Sequence, residues 1–501
     1  MTWHLFWIGS YVVSLGVVPF ILLANKRPAA TLAWIWAVLL FPYLGPFVYF
    51  LLGSERMNRR RFRRRVLEWR RSPKRLRSKG RQGGPLSAEQ AEGQALAAAV
   101  AAATPAPDPA WRLVETLSAI NGQTISGADE VTLLVDGAAY YDALEKAIRA
   151  ARRTIHVECY IWREDGAGDR FRRLLVEAAR RGVRVRLLLD EMGCSHLYRR
   201  YFRELIEAGG SFSWFGNVHP LRNRWTFGLR NHRKLQIIDG ARAFVGGMNI
   251  GREYLGQEPC FGAWSDIQVE VTGPVVAGLE NTFADDWYFA TDEKIPLEAP
   301  PAAAVTAPES AAATGGDRVP TPVLILEDGP DDKADPLALS VLALINQSQR
   351  RLWLATAYFV PLFAHLDALK LAAIRGVDVR LLVSARSDNR AVVEVSRSYY
   401  EELLAYGVRI FEFDRGVNHG KAMVVDGHWV TVGSANFDNR SMHLNFELNL
   451  AFYSPAVVEE MALLLSGYYL QSTEIELATF VRRPFWNRLK ESTCRLLGPT
   501  L

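Results

Sequence analysis

At 501 residues the chain is long enough for two domains with full cores and further segments. Its four cysteines, Cys159, Cys194, Cys260 and Cys494, stand at neither metal-ligand nor redox spacing, which suits buried free thiols in a reducing compartment. The net charge of +5 is unevenly placed: Glu55–Arg81 holds 14 Lys/Arg against two Glu, and the chain from Gln82 onward sums to −9. The basic field that a nucleic-acid enzyme needs around its site is therefore missing.

Leu5–Ala24 is a nearly uncharged apolar run of bilayer-spanning length. Asn25-Lys26-Arg27-Pro28 breaks it, and a second run, Ala29–Gly53, follows, interrupted by Pro42, Gly45 and Pro46. These interruptions predict a kinked or re-entrant second segment. No Lys or Arg precedes the first run, which argues against a cleaved signal peptide. The Arg-rich tract outweighs Lys26-Arg27 and predicts a cytoplasmic soluble part behind a membrane hairpin. The same tract suits anionic lipid headgroups. The expected organisation is a membrane anchor over 1–54, the basic tract over 55–81 and a linker over 82–110. A first α/β domain over 111–295, a second linker over 296–320 and a second α/β domain over 321–501 follow.

From Val131 the pattern becomes α/β. A helix over Tyr140–Ala151 precedes an alternating strand over Thr154–Trp162, and an amphipathic helix over Arg170–Arg181 is stopped by Gly182. Val183–Leu189 is a buried strand ending at Asp190, Tyr201–Ala208 a helix and Ser211–Phe215 a short strand. The second half repeats this order: helix 338–348, strand 351–360, helix 366–375 stopped by Gly376, strand 377–383, helix 399–406 and strand 408–413. Arg181-Gly182-Val183-Arg184-Val185-Arg186-Leu187-Leu188 against Arg375-Gly376-Val377-Asp378-Val379-Arg380-Leu381-Leu382 shows the duplication. The fold class expected is two duplicated α/β domains, each a mixed sheet between helices, related by a pseudo-twofold axis.

Each half then carries one short string. Asn231-His232-Arg233-Lys234-Leu235-Gln236-Ile237-Ile238-Asp239-Gly240 is followed by Gly246-Gly247-Met248-Asn249. Asn418-His419-Gly420-Lys421-Ala422-Met423-Val424-Val425-Asp426-Gly427 is followed by Gly433-Ser434-Ala435-Asn436. Residues two apart on a strand share a face, so His232 projects with Lys234 and His419 with Lys421. The Asp-Gly turns return the chain past each pair and bring Asn249 or Asn436 alongside. If the halves pack about their pseudo-twofold, two imidazoles, two ammoniums and two amides meet at one place.

This set suits a phosphodiester. Lys234, Lys421, Asn249 and Asn436 can hold the phosphoryl oxygens without a metal, and no cofactor is called for. One imidazole can attack phosphorus while the other protonates the leaving alkoxide. Downstream carboxylates, Asp266 and Glu447, each open an alternating strand and can orient an imidazole. Asp239 and Asp426, the last members of the six-residue motif set, sit at the turns and are expected to hold the loop rather than touch substrate. His196, His219, His428 and His443 lack the duplicated setting and are read as structural.

The paired HxKxxxxD strings resemble the phospholipase D superfamily. The longer strings, with Gly433-Ser434-Ala435-Asn436-Phe437-Asp438-Asn439-Arg440-Ser441 through Asn445-Phe446-Glu447, resemble its bacterial cardiolipin synthase branch. So does the N-terminal pair of apolar segments with Pro42-Tyr43-Leu44-Gly45-Pro46. The Arg tract is richer and the 296–316 linker longer than that branch leads one to expect. The resemblance implies transfer of a phosphatidyl group from one phosphatidylglycerol to another, with His232 as nucleophile and His419 as general acid, then base. It implies an enzyme of the inner membrane with a phospholipid substrate. The alternatives are a phospholipase D or a phosphatidyltransferase using phosphatidylethanolamine, a nuclease (disfavoured by the −9 balance) and a membrane scaffold with a decayed site.

Overall fold

The computed structural model describes residues 14–23, 28–49, 109–216, 230–258, 262–296, 320–329, 335–387, 389–496 and 498. The basic tract, His219, Cys260 and nearly all of both linkers lie outside these residues, as does part of the first apolar run. The chain forms two compact units, taken here in turn.

In the N-terminal unit, residues 14–23 are helical and a second helix spans Pro28–Leu40. Val17 and Ile21 pack with Val38 and Tyr49, and the Ser14 hydroxyl donates to the Val38 carbonyl at 2.9 Å. The second helix stops before Pro42, whose ring cannot continue the ladder. A short helix resumes at Leu44–Val48, with Gly45 so close to Ala37 that a side chain there would strike its carbonyl. The interrupted second segment is as the Pro and Gly positions lead one to expect. Among the described residues, however, no helix is long and apolar enough to cross a membrane. The described residues take in only part of the first apolar run and do not show the membrane hairpin expected from hydropathy.

The large unit is built on two sheets of matching strand order. The first is seven-stranded, from β1 (Val131–Val135), β2 (Thr154–Cys159), β3 (Arg184–Asp190), β4 (Ser211–Phe215), β5 (Leu235–Ile238), β6 (Arg242–Gly246) and β7 (Ile267–Thr272). They lie in the order β1-β7-β6-β5-β2-β3-β4, with β2-β3-β4 parallel and the rest antiparallel. The second sheet uses β8 (Thr321–Asp328), β9 (Arg351–Ala355), β10 (Asp378–Ser384), β11 (Arg409–Phe413), β12 (Ala422–Val425), β13 (Trp429–Gly433), β14 (Asn445–Tyr453) and β15 (Ser472–Ile475). Its order, β8-β14-β13-β12-β9-β10-β11-β15, repeats the first and adds one edge strand.

The local causes repeat too. Gly182 and Gly376 take left-handed φ values of 89° and 86°, and each helix closes with a pair of reverse hydrogen bonds. Gly182 and Val183 donate to Ala179 and Ala178, and Gly376 and Val377 to Ala373 and Ala372. Any side chain at either glycine is strained. The next strand then starts with its apolar face inward, Val185, Leu187 and Leu189 in one half and Val379, Leu381 and Val383 in the other.

The halves exchange chain. The helix Pro109–Asn121 lays Leu113, Val114 and Leu117 into the core of the second half, beside Leu337, Val341 and Leu344. Strand Ser126–Ala128 pairs with β8, and Arg230–Asn231 pairs with β14, so the second sheet counts ten strands. Residues 109–128 thus belong structurally with the half whose first strand begins at Thr321.

Candidate functional site

Two short parallel ribbons cross between the halves and build the site. Arg230–Asn231 runs beside Asn445–Phe446, and Gly416–Asn418 runs beside Ala263–Ser265. At the end of each ribbon the motif histidine is tied by its backbone to the opposite half: His232 N–H donates to Phe446 O at 2.9 Å, and His419 N–H to Ser265 O at 2.7 Å. The residue after each acceptor is the carboxylate. His232 Nδ1 therefore lies 3.0 Å from both Glu447 oxygens, and His419 Nδ1 lies 2.7 Å from Asp266 Oδ2. Each imidazole is oriented by the other half's carboxylate. A carboxylate accepts only, so His232 Nδ1 carries the proton and its Nε2 lone pair remains for attack, whereas His419 Nδ1 has Lys421 Nζ at 2.8 Å as well as Asp266 beside it.

The ribbons are positioned by a second duplicated device. Asn231 Oδ1 accepts from the Arg233 N–H, and Asn418 Oδ1 from the Gly420 N–H. The last residue of each third strand then takes the asparagine's own N–H: Asp190 Oδ2 at 2.8 Å and Ser384 Oγ at 3.1 Å. Gly247 and Ser434 are where the halves diverge. A Cβ at Gly247 would strike the Asp266 carboxylate, whereas Ser434 Oγ donates to Glu447 at 2.5 Å. Ser441 Oγ and Asn445 Nδ2 complete the donors on Glu447, at 2.8 and 3.1 Å.

Only the tips of the imidazoles reach solvent; their side chains are 12% and 11% exposed, and both carboxylates are 0% exposed. Lys234 and Lys421 are buried, and each Nζ donates to the carbonyl of its own histidine, at 2.7 and 2.5 Å. Tyr160 sets its edge on His232 with ring centres 4.9 Å apart and carries Lys234 over its face at 5.3 Å. Trp264 and Tyr254 flank His419 at 5.2 and 6.4 Å.

The electrostatics follow from burial in a cationic setting. Burial pushes His232 down to about 4, with Glu447 opposing and Lys234 adding to the effect. Burial likewise brings Lys234 down to about 7, Glu447 opposing and Lys421 adding. Burial alone would raise Glu447, but His232 first, then Lys234 and Ser434, hold it below the usual carboxylate range. The charge of Lys421 is felt at both His232 and Lys234, so the two motifs share one electrostatic site. With its pKa lowered to about 4, His232 offers a free Nε2 lone pair beside the Lys234 and Lys421 side chains, whose charges the Glu447 and Asp266 carboxylates offset. That arrangement can attack an electrophile bearing an anionic group, such as a phosphodiester.

The structure does not bring every motif residue to this point. Asp239 and Asp426 sit at the far turns, at φ 56° and 54°. Asp239 accepts from the N–H groups of Arg152, Arg153 and Thr154, and Asp426 from those of Gln349, Arg350 and Arg351. They pin strands β2 and β9 through these backbone N–H groups, the loop-holding role that the turn position leads one to expect. Asp239→Ala should leave two part-buried donors, the Arg153 and Thr154 N–H groups, unpaired and the exposed Arg152 N–H to water, at a cost of roughly 1–3 kcal/mol. A Tm lowered by several degrees, with kcat per folded molecule retained, is the expected result in a thermal melt read beside the activity.

The amides also differ. Asn249 Oδ1 accepts from the Ile161 N–H at 2.9 Å and its Nδ2 donates to the Tyr254 hydroxyl at 2.6 Å, so it braces the His419 flank. Asn436 is buried, and its Oδ1 has no hydrogen-bond partner among the described residues. Arg233, which motif spacing passes over, is buried: it pairs with Asp286 at 2.5 Å and donates to the Glu447 and Asp328 carbonyls. An arginine inside an apolar strand was the available signal. His196 contacts the Trp162 carbonyl, His428 stacks on Tyr453 and His443 pairs with Asp335. Cys159 and Cys194 are buried free thiols, Cys159 pushed up to about 12 by burial.

Comparison with known proteins shows the family. The family described as cardiolipin synthase, PLD-like domain, matches residues 144–287 and 341–466, and the family described as phospholipase D-nuclease N-terminal matches 12–54. The chain is 34% identical to the cardiolipin synthase of Alkalihalophilus pseudofirmus, covering 98% of this chain and 92% of that one. It is 36% identical to cardiolipin synthase 2 of Bacillus anthracis (96% and 88%) and 33% to cardiolipin synthase A of Pseudomonas aeruginosa (99% and 96%). Among solved structures, phosphatidylserine synthase of Haemophilus influenzae superposes with a TM-score of 0.58 at 16% identity. The match covers 79% of this chain and 100% of that one, a likeness of fold.

Proposed function

The chain belongs to the cardiolipin synthase family of phospholipase-D-like proteins, and on that premise we propose that it transfers a phosphatidyl group from one phosphatidylglycerol to another, yielding cardiolipin and glycerol. The observation that carries the reading is the exchange of carboxylates, which supports one site holding two imidazoles. His232 Nε2 attacks the phosphorus of the first lipid, forming a P–N bond. The P–O bond to glycerol breaks, and the leaving oxygen takes a proton from His419 Nε2. A headgroup hydroxyl of the second lipid then gives its proton to His419 and attacks phosphorus, and the P–N bond breaks to free His232. Lys234, Lys421 and Asn436 hold the phosphoryl oxygens, with Asn249 bracing the wall. His232 is assigned as nucleophile from the resemblance of its motif to the superfamily, and a pKa lowered to about 4 by burial suits an unprotonated attacking nitrogen.

The N-terminal unit serves as the membrane attachment, with the large unit on the cytoplasmic side of a bacterial inner membrane. Its outward apolar side chains support this: Leu23 is 74% exposed, Leu40 65% and Phe47 64%.

Labelled phosphatidylglycerol given to the purified chain should appear in cardiolipin, with one glycerol released per cardiolipin. Phosphatidic acid as the only product would make the protein a hydrolase instead, and DNA cleavage lost in His419→Ala would make it a nuclease. The pH profile of the same assay has an expected sign. In the free enzyme Lys234, held down to about 7, loses its proton early, so kcat/KM should rise through about pH 4 and fall above about pH 7. The bound phosphate anion favours the ammonium, so the alkaline limb of kcat should lie higher than that of kcat/KM.

A further inference from the structure

The chain's last helix, Phe485–Arg495, is amphipathic in an unusual sense: its apolar stripe faces out. At about 100° per residue, Phe485, Leu489 and Leu496 fall within about 40° of one another and Trp486 lies beside them. These four are 66%, 44%, 79% and 73% exposed. The opposite face is the one packed on the protein. There Glu491 is buried on Arg483 at 2.8 Å and Cys494 packs on the core of the second half. Lys490 pairs with Glu394 at 2.7 Å, and the Arg495 guanidinium stands 4.2 Å over the Tyr399 ring. The helix is therefore fixed in rotation, and the stripe is held outward by design of the sequence. Arg488 and Lys490 flank the stripe on either side, and exposed Arg482 precedes it. An aromatic and aliphatic face bordered by basic residues is the composition of helices that lie in a lipid headgroup layer.

Its place in the fold gives the stripe a purpose. The helix packs on Arg390–Arg397, which follows the carboxyl end of β10, where Ser384 holds the Asn418 N–H next to His419. Just beyond the helix, Gly498 lies against Val360, and Val360 pairs with Asp438, two residues after Asn436. The helix that bears the stripe is thus joined by these contacts to elements that also carry the site. We propose that this C-terminal helix docks on an anionic phospholipid surface and seats the site's edge against the layer holding its substrate. The docking rests on the phosphatidyl-transfer reading for its purpose, but not for its measurement.

Full-length protein would be assayed on monomeric dihexanoyl-phosphatidylglycerol and on dioleoyl-phosphatidylglycerol diluted in detergent micelles. The double variant Trp486→Ser/Leu489→Ser should match wild type on the monomeric lipid. On micelles it should need about tenfold more surface phosphatidylglycerol for half-maximal rate. Trp486→Phe keeps the stripe, so it should match wild type in both assays. It should also lose a share of the tryptophan emission that brominated phosphatidylglycerol quenches in vesicles. Identical surface-dilution curves, unchanged quenching in Trp486→Phe, or a double variant altered only in oligomeric mass would each overturn the proposal. Wild type inactive on both lipids would sink the functional reading instead, leaving the quenching to decide docking alone.

Discussion

His232→Ala is expected to remove cardiolipin formation altogether, a loss on the order of 10⁴-fold or more, because without its Nε2 the covalent P–N intermediate cannot form. His419→Ala should reduce overall turnover as severely but for a different reason, and the leaving group separates the two. A phosphatidyl ester of p-nitrophenol needs no proton to depart. On that substrate His419→Ala should release one nitrophenolate per site in a burst and then stall, since nothing takes the proton from the second alcohol. Acid-labile phosphate bound to His232 should accumulate in step with the burst. His232→Ala should give no burst at all. The physical basis is that burial and Lys234 lower His232 to about 4 and so keep its attacking nitrogen unprotonated. A burst in His232→Ala, with none in His419→Ala, would exchange the two roles while leaving the shared site intact.

Much of this arrangement is legible in the sequence, for identifiable reasons. The duplication is visible because strand β10 and its preceding Gly376 copy β3 and Gly182 almost residue for residue, and period-two alternation fixes which side chains share a face. The histidines, lysines and downstream carboxylates are visible because the chemistry tolerates few other residue types. The partnership between them is not. Sequence order ties Asp266 to the first motif and Glu447 to the second. The ribbons Arg230–Asn231 with Asn445–Phe446, and Gly416–Asn418 with Ala263–Ser265, pair each carboxylate with the other motif's histidine. Hydrophobic pattern cannot reveal such two- and three-residue pairings: Phe446, Trp264 and Val417 in them are buried, but runs this short carry no period that names their partner. The lodging of Leu113 and Leu117 in the second half is hidden for the converse reason: an amphipathic helix declares that it has a buried face, not whose core receives it. Arg233 is missed because its value lies in Asp286, a partner 53 residues away that no spacing rule connects.

The exchange of carboxylates has a kinetic consequence that sequence neighbours would not give. Glu447→Gln and Asp266→Asn keep shape while removing the acceptor that fixes the Nδ1–H tautomer, and each should lower turnover by roughly 10²–10⁴-fold. If each carboxylate served its own half, Asp266→Asn would impair the nucleophile. With the partners as observed, Asp266→Asn disorients His419, 2.7 Å away, and so weakens protonation of the leaving glycerol. The p-nitrophenyl ester should therefore restore the burst in Asp266→Asn. It should not restore it in Glu447→Gln, where the damaged imidazole is His232, 3.0 Å away, whose attack precedes any departure. Glu447 also receives Ser434, Ser441 and Asn445, so its neutral replacement disturbs several donors in a fully buried place, and its loss should be the greater of the two. Rescue in Glu447→Gln and none in Asp266→Asn would mean that the carboxylates act within their own halves during the reaction, and that the crossed geometry is not the reacting one.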